Sequence, residues 1–348
     1  MKKCNAVFEG GGVRGIGHVG AVCRMEQAGW QFVDLAGSSA GAIVAALLAA
    51  GYSGRELKKE LETLDYMRFK GKDLPDYFGM LGKSVSLLMS LGVYHTDYLE
   101  DWMDELLNRK GMRRFGDIKG GGRRLKITAS DLTDRRLLVL PDDLGEFAEA
   151  PDDFCIAPAV RMSVSIPIFF EPVRWKDRQG REHLIVDGGL LSNYPIWLLD
   201  DGKHMPYCPT FGFKFVDGDT ACRSQGRQSD AVCQSQGGQP GVVSRNCRSD
   251  EACQNQSFRP DINLPDYLKA IVSTCLDAMD NSHLLEGDYE RTIRIPATVE
   301  TKEGRRRISA VDFDISREDS RILFDNGWSA AERFLKNWNF DKWKRKYR

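Results

Sequence analysis

The first part of the chain alternates short apolar runs with longer segments of helical periodicity. Residues 6–8 and 32–36 are apolar and short, as expected of buried strands. Residues 16–28 and the alanine-rich residues 42–50 have the length and spacing of helices. This order predicts an α/β fold of three layers, with a mainly parallel central sheet and helices on both faces.

The pattern continues towards the C-terminus. Further strands are predicted at residues 124–129, 136–140, 171–175, 182–186 and 211–216, with edge strands at residues 292–295 and 311–313. Further helices are predicted at residues 54–64, 98–107, 153–165, 264–285 and 317–338. The strands at 171–175 and 182–186 should form a hairpin, because the loop between them is short and contains Gly180.

Residues 217–260 interrupt this pattern, because they are rich in Gln, Ser, Arg, Gly and Asp and contain few large apolar side chains. Such a segment cannot bury enough surface to order itself, so we expect a disordered insertion. The predicted division is a core at residues 1–216, the insertion, and a C-terminal part of the same domain at residues 261–348 with a basic aromatic tail. The insertion contains Cys222, Cys233, Cys247 and Cys253, whose uneven spacing does not favour a zinc site.

Composition narrows the classes of function. The chain has 348 residues, of which 42% are hydrophobic and 28% charged, as is ordinary for a soluble globular protein. A net charge of −1 gives no general attraction to nucleic acid, so we expect no nucleic-acid partner. No apolar run approaches the ~18 residues of a membrane-spanning helix, and charged residues and glycines interrupt any signal-peptide core. These features predict a cytoplasmic location.

The stretch Gly37-Ser38-Ser39-Ala40-Gly41 lies between a predicted strand and the alanine-rich helix. It matches G-x-S-x-G, the strand–turn–helix elbow that presents a nucleophilic serine at the edge of a sheet. The glycines avoid collisions and supply unusual backbone angles, and the helix N-terminus favours negative charge on Ser39 Oγ. Ser39 is therefore the candidate nucleophile, and Ser38 is interpreted as part of the turn.

A second motif, Gly10-Gly11-Gly12-Val13-Arg14-Gly15, follows the first predicted strand. Its G-x-G-x-x-G spacing matches the dinucleotide-binding fingerprint, and Asp34 lies where a ribose-binding acid is expected. The same loop also suits an oxyanion hole, because adjacent backbone amides at a helix N-terminus stabilise a carbonyl oxygen that gains charge. The serine elbow directly after the second strand favours the oxyanion hole.

A third motif, Asp187-Gly188-Gly189, ends the predicted strand at residues 182–186, although by itself it indicates only a turn. The order of the three motifs, together with Ser163-Val164-Ser165-Ile166-Pro167 and Phe169, resembles that of the patatin-like phospholipases, bacterial members in particular. The resemblance covers residues 5–216 and 262–338, and it excludes the polar insertion.

The resemblance implies a lipid acyl hydrolase with a catalytic dyad, in which Ser39 is the nucleophile and Asp187 the general base. It implies an acyl-enzyme intermediate and an oxyanion hole. The loop residues assigned to that hole are Gly10, Gly11, Gly12 and Arg14. The remaining motif residues are Gly15, Gly37, Gly41, Gly188 and Gly189. The implied substrate is a phospholipid or another lipid ester, and no cofactor or metal ion is implied.

Two alternatives remain open at this stage. A Ser-His-Asp hydrolase would use Ser39 and Asp187 with His204 or His283, which follow them in the expected chain order. A nucleotide-binding protein would instead use the loop at residues 10–15 together with Asp34.

A phospholipid hydrolase must also reach a bilayer surface, and two segments are candidates for transient membrane contact. Residues 77–91 are apolar and contain glycines, which is typical of a cap over the site or of a core helix. The tail at residues 338–348 combines aromatic and basic side chains, which suit an interface with anionic headgroups unless Trp338 packs on the core.

Overall fold

The computed structural model describes residues 1–64, 92–94, 96–148, 150–200, 205–217, 271, 274, 284–301 and 304–348. Nearly all of the predicted insertion, most of the predicted helix at residues 264–285 and the whole of the apolar segment at residues 77–91 lie outside these ranges. Those three predictions stay predictions.

The described strands are β1 Lys2–Phe8, β2 Trp30–Ser38, β3 Gly92–Tyr94, β4 Leu125–Asp131, β5 Arg136–Leu140, β6 Ile168–Phe170, β7 Val173–Lys176, β8 Glu182–Asp187, β9 Thr210–Val216, β10 Thr292–Pro296, β11 Thr298–Thr301 and β12 Gly304–Arg307. The described α-helices are α1 Ile16–Gln27, α2 Ala40–Ala49, α3 Gly54–Thr63, α4 Asp97–Arg109, α5 Phe115–Gly120, α6 Ile156–Val164, α7 Gly189–Ser192, α8 Glu286–Glu290, α9 Arg317–Asn337 and α10 Phe340–Tyr347.

Eight of these strands form one sheet in the order β10-β9-β1-β2-β4-β8-β7, with β5 also paired to β4. The run from β10 to β4 is parallel, whereas β8, β7 and β5 join it antiparallel. The predicted α/β fold with a mainly parallel sheet is confirmed. Since β2 lies between β1 and β4, the serine elbow at its carboxyl end lies at the centre of the sheet.

The helices α1 and α9 pack on each other at unusually short range, because glycines line their contact. A Cβ atom on Gly20 would lie 2.0 Å from the carbonyl oxygen of Phe324, and one on Gly327 would lie 1.8 Å from that of Gly17. Stacked aromatic rings, including those of Phe8 and Phe213, fill the core on this side. The opposite face of the sheet contributes the smaller cluster Val7, Ala36, Leu198 and Leu199.

One prediction about the C-terminal region is wrong. Residues 311–313 are not an edge strand. They form turns after the β11–β12 hairpin, where the Phe313 amide donates a hydrogen bond to the Val311 carbonyl at 3.0 Å.

The tail forms α10, and Trp338 packs on the core with its ring centroid 5.1 Å from that of Phe211, which agrees with the second interpretation of the tail. Contact of the tail with a membrane stays a prediction. Trp343 is buried within α10, where its indole Nε1 donates to the Gly287 carbonyl at 2.8 Å. None of the described helices is both long and apolar enough to cross a bilayer.

The β7–β8 hairpin, which carries Asp187 at its end, is fixed by a charged cluster around a buried histidine. His183 Nδ1 lies 2.7 Å from Asp131 Oδ2, and His183 Nε2 lies 3.3 Å from Asp177 Oδ2. Burial lowers the pKa of His183, but the hydrogen bonds to these two carboxylates outweigh burial and raise it above its usual value. Asp131, Asp134 and His183 also lie close enough together to hold a cation. However, Asp134 is already paired with Arg181 at 2.6 Å.

Substitution of His183 should therefore destabilise the protein in a pH-dependent manner. A raised folded-state pKa gives stability that is full below about pH 6.5 and is lost as the pH rises through the folded pKa. We expect His183→Gln to lower the free energy of unfolding by about 2 kcal/mol at pH 5.5 and by clearly less at pH 9. Urea unfolding at both pH values measures this, with the exposed Arg178→Gln of the same hairpin as control. A loss of stability that is equal at the two pH values would contradict the prediction.

Candidate active site

The elbow places Ser39 between the end of β2 and the start of α2, in a backbone conformation that few non-glycine residues adopt. Its φ is +51° and its ψ is −126°. The flanking glycines permit the tight turn, because a Cβ on Gly37 would lie 2.3 Å from the Gly41 carbonyl oxygen, and one on Gly41 would lie 2.3 Å from that of Phe8. The two glycines thus serve close packing, while the serine itself takes the strained angle.

The glycine loop lies beside the elbow. A Cβ on Gly10 would lie 3.2 Å from Ser39 Cβ, and a Cβ on Gly15 would lie 3.4 Å from Ala40 Cβ. The Gly10 amide donates to the carbonyl of Asn193 at 2.9 Å.

The next two backbone amides of the loop, those of Gly11 and Gly12, donate no hydrogen bond to any described residue. Gly12 lines the same cleft as Ser39. These two amides are therefore the donors left for an oxyanion.

Arg14 and His18 support the loop from the side of α1. Arg14 Nε donates to the Gly11 carbonyl at 3.2 Å, and its guanidinium lies 5.1 Å from the centroid of the Phe215 ring. His18 Nε2 lies 2.8 Å from the Glu9 carbonyl oxygen. Burial lowers the pKa of His18 to about 3, so its ring is neutral at physiological pH and fixes the end of β1 as a hydrogen-bond donor. Nothing in the sequence pattern distinguished His18 from an ordinary helix residue.

Asp187 ends β8 and is fully buried. Its Oδ1 accepts a hydrogen bond from the Gly189 amide at 2.7 Å, while Oδ2 has no hydrogen-bond partner among the described residues. Burial raises the pKa of Asp187 to about 7, against the lowering effects of the nearby Ser39 hydroxyl and the Gly189 amide. Gly188 is required by close contact, because a Cβ there would lie 2.4 Å from the Thr128 carbonyl oxygen. Ser39 and Asp187 are thus brought together from positions far apart in the chain.

The end of α6 connects these two side chains. Ser163 Oγ accepts a hydrogen bond from the Ser39 amide at 2.9 Å, and the Ser163 carbonyl accepts one from the Gly188 amide at 3.3 Å. The Ser165 carbonyl accepts one from the Asp187 amide at 2.9 Å. In the sequence, the Ser-x-Ser-x-Pro stretch is distinguished only by the family resemblance. In the structure, its hydrogen bonds hold the elbow and Asp187 in register.

An apolar cleft opens at Ser39. Its walls come from the glycine loop, the elbow helix, the ends of α3 and α6, the start of α4 and a C-terminal segment. The aliphatic and aromatic side chains among its lining residues are Val13, Ile43, Val44, Leu61, Leu64, Leu99, Val164, Ile166, Phe170 and Phe313. Leu64 and Thr96, which lie on either side of the segment proposed as a cap, both line the cleft. A cleft of this composition suits an alkyl chain.

The residues required by the two alternative functions are placed differently. His204 and His283 lie outside the described residues. Asp34 lies in the middle of β2 and not at its carboxyl end. Its carboxylate binds Arg124 through the Arg124 backbone amide at 2.9 Å and through the guanidinium Nη2 at 2.6 Å. Asp34 therefore forms a structural ion pair with Arg124 and does not occupy the position of a ribose-binding acid.

Comparison with known proteins identifies the family. The family described as patatin-like phospholipase matches residues 6–200. The chain belongs to the patatin-like phospholipase family. At the level of this family it is a lipid hydrolase.

Two curated relatives are similar in sequence. An uncharacterized protein, YqhO of Bacillus subtilis (strain 168), is 34% identical over 339 residues, which cover 97% of this chain and 99% of the relative. An uncharacterized protein of Acanthamoeba polyphaga mimivirus is 30% identical over 203 residues, which cover 57% of this chain and 61% of the relative.

The fold is shared with one solved structure, and a second gives a slightly lower score. VipD from Legionella pneumophila superposes with a TM-score of 0.50 at 15% identity, and the match covers 96% of this chain and 66% of VipD. ExoU of Pseudomonas aeruginosa, in its complex with SpcU, gives a TM-score of 0.49 at 16% identity, with 96% of this chain and 51% of ExoU covered. The chain thus spans about half to two thirds of these larger proteins.

Removal of the Ser163 hydroxyl should disturb the elbow. We expect Ser163→Ala to lower kcat for p-nitrophenyl butyrate about tenfold, because the Ser39 amide loses its acceptor and the candidate nucleophile is no longer held in place. The unpaired buried amide should also cost about 1–3 kcal/mol of stability. Ser165→Ala is the matched control, since the Ser165 hydroxyl donates to the Arg161 carbonyl and its bond to Asp187 uses its own backbone. Equal kcat values for the two variants would show that Ser163 has no positioning role.

Proposed function

We propose that this protein is a phospholipase A-type acyl hydrolase that cleaves carboxylic esters of phospholipids through a Ser39–Asp187 dyad. The observation that carries the proposal is the juxtaposition of a strained elbow serine and a buried carboxylate whose pKa is raised to about 7. A base with a pKa near the working pH suits general base catalysis better than an ordinary aspartate with a pKa near 4.

In the first half-reaction, Ser39 Oγ attacks the ester carbonyl carbon while Asp187 takes the serine proton. The negative charge that develops on the carbonyl oxygen is stabilised by the backbone amides of Gly11 and Gly12. Collapse of the tetrahedral intermediate breaks the bond to the alcohol, and Asp187 returns its proton to the leaving oxygen. The products of this step are a lysophospholipid and an acyl group bound to Ser39.

In the second half-reaction, a water molecule attacks the acyl-enzyme, and Asp187 accepts a proton from that water. The same two amides stabilise the second oxyanion. Collapse then breaks the bond between the acyl group and Ser39 Oγ, and the proton held by Asp187 passes to Ser39. A free fatty acid leaves, and the dyad is restored without a cofactor.

The other loop residues support this chemistry indirectly. The Gly10 amide is bonded to Asn193, so Gly10 shapes the loop and ties it to the segment after Asp187. Arg14 holds the Gly11 carbonyl, which orients the peptide that carries the Gly12 amide. Its positive charge adds to the potential around the oxyanion.

The apolar lining of the cleft supports a lipid acyl chain as the bound group. Since such a chain must be drawn from a bilayer, we infer transient contact of a cytoplasmic protein with the membrane surface. The buried position of Trp343 removes it from that contact. Residues 77–91 and the other residues of the tail at 338–348 remain the candidates.

Loss of either dyad member should abolish turnover. We expect Ser39→Ala and Asp187→Asn each to lower kcat/KM for a phosphatidylcholine at least a thousandfold. The double variant should lose little more, because the two residues act as one unit. Fatty acid release from mixed micelles measures the effect, and circular dichroism checks the fold.

Ser38→Ala is the matched control for the nucleophile, because Ser38 is the adjacent serine and its buried hydroxyl has no hydrogen-bond partner among the described residues. It should retain activity within about threefold. Near-normal turnover by Asp187→Asn would refute the dyad.

As the pH rises, kcat/KM should increase, whereas the contribution of Asp187 to stability should decrease. Catalysis requires ionised Asp187, so kcat/KM should fall about tenfold per pH unit below pH 7. A carboxyl group whose folded pKa is raised favours folding only when protonated, so its contribution to stability declines as the pH rises from about 4 through 7. Asp187→Asn should therefore raise Tm at pH 8 and change it little at pH 4. A pH–rate profile flat between pH 5 and pH 7, or no gain in Tm at pH 8, would contradict the shifted pKa.

A further inference from the structure

Residues 308–315 reach the active site from outside the family-matched region, which ends at residue 200. They follow β12 and precede α9. The Ile308 amide donates to the Ala297 carbonyl at 2.9 Å, which returns the chain from the β11–β12 hairpin towards the sheet. From there the segment crosses to the glycine loop and the cleft.

The first contact of this segment is with the glycine loop itself. The Ala310 carbonyl accepts a hydrogen bond from the Val13 amide at 3.0 Å. Gly12, the neighbour of Val13, has a φ of +52°, and a Cβ atom on it would lie 1.8 Å from the Ala310 oxygen. The backbone of residue 310 thus occupies the Val13 amide, whereas the amides of Gly11 and Gly12 have no acceptor within the described part of the chain.

The second contact is with the cleft. The Phe313 ring lines it together with Ser39, and it packs edge-on against Phe170 at a centroid distance of 5.8 Å and against Phe169 at 6.3 Å. Phe313 is the single aromatic wall residue that comes from beyond residue 200 in the described chain.

Arg306 anchors this segment. Its Nη1 donates to Asp312 Oδ2 at 3.3 Å, and its Nη2 donates to Asp319 Oδ2 at 2.5 Å. Asp319 is buried in the first turn of α9 and also accepts from Ser316 Oγ at 2.6 Å. The residue next to Phe313 is therefore tied to a fixed helix end through one arginine.

We propose that Phe313 is a specificity-determining residue that contacts the distal part of the acyl chain, and that Arg306 is the positioning residue that holds it in the cleft. This inference rests on the proposed function, because it assigns the cleft to the acyl group of the substrate. A chain of four carbons ends close to Ser39, whereas one of twelve carbons extends along the walls to which Phe313 belongs.

The first experiment compares kcat/KM for p-nitrophenyl dodecanoate with that for p-nitrophenyl butyrate in the full-length protein. We expect Phe313→Ala to lower the dodecanoate-to-butyrate ratio about tenfold, and Phe313→Leu to retain most of it, because leucine keeps apolar contact. A merely structural defect would lower both rates together and leave the ratio unchanged. Phe340→Ala is the matched control, since Phe340 stacks on Trp343 in α10, and its ratio should equal that of the wild type.

The anchor is tested with the same ratio. Arg306→Gln should lower it about threefold, because Phe313 is no longer held in place. Arg305→Gln, which changes the adjacent exposed arginine of β12, should not lower it. Equal ratios for the two arginine variants would overturn the role of Arg306.

The second experiment separates this inference from the proposed function, because it requires no turnover. Binding of 2-dodecanone, a neutral ketone with a long alkyl chain, is measured by equilibrium dialysis in Ser39→Ala and in Ser39→Ala/Phe313→Ala. We expect Kd to rise about tenfold on loss of the ring. Equal Kd values would overturn the role of Phe313 whatever the enzyme hydrolyses. A rise in Kd together with a wild-type protein that cleaves no ester would instead support the role of Phe313 and refute the proposed function.

Discussion

The conformation of Ser39 costs a non-glycine residue about 1–3 kcal/mol, and the surrounding backbone has to impose it. Gly37 and Gly41 allow the end of β2, the start of α2 and the end of β1 to approach so closely that a Cβ atom on either glycine would collide with a backbone oxygen. Ser163 then fixes the Ser39 amide. The strain is thus balanced by packing at the centre of the sheet, where neighbouring strands and α2 leave the turn little freedom. A serine in a surface loop would relax out of this conformation.

The same packing makes the carboxylate chemically useful. Asp187 lies at the end of an antiparallel strand, on the other side of β4 from the elbow, and its burial keeps water from stabilising the ionised form. The segments that carry the two residues are joined through Ser163 and Ser165, and Asn193 joins the aspartate segment to the glycine loop. A displacement of any one of these segments would change both the distance between Ser39 and Asp187 and the electrostatic environment of the Asp187 carboxylate.

Patterns that are local in sequence predicted much of the fold. The helices at Ile16–Gln27 and Arg317–Asn337 and the β7–β8 hairpin agree with their predictions to within a few residues, because periodicity and turn chemistry act over short spans. The short apolar run at residues 311–313 predicts a strand, since such a run has the same pattern whether it joins a sheet or lines a cleft. The bond between Ser39 and Ser163 spans 124 positions, and no local signal reveals such a contact. The charged composition of the tail does not indicate that Trp343 is buried, because its burial depends on contact with Gly287 in α8.

The dependence of the glycine loop on residue 310 has a consequence for protein synthesis. A ribosome holds the most recently made part of a chain in its exit tunnel, and domains fold as their segments emerge. The elbow, the aspartate and most of the sheet emerge well before Ala310, yet the loop that would stabilise the oxyanion lacks its carbonyl partner until that residue is free. A nascent chain that does not yet extend to Ala310 therefore carries Ser39 and Asp187 beside a glycine loop that lacks one of its backbone partners.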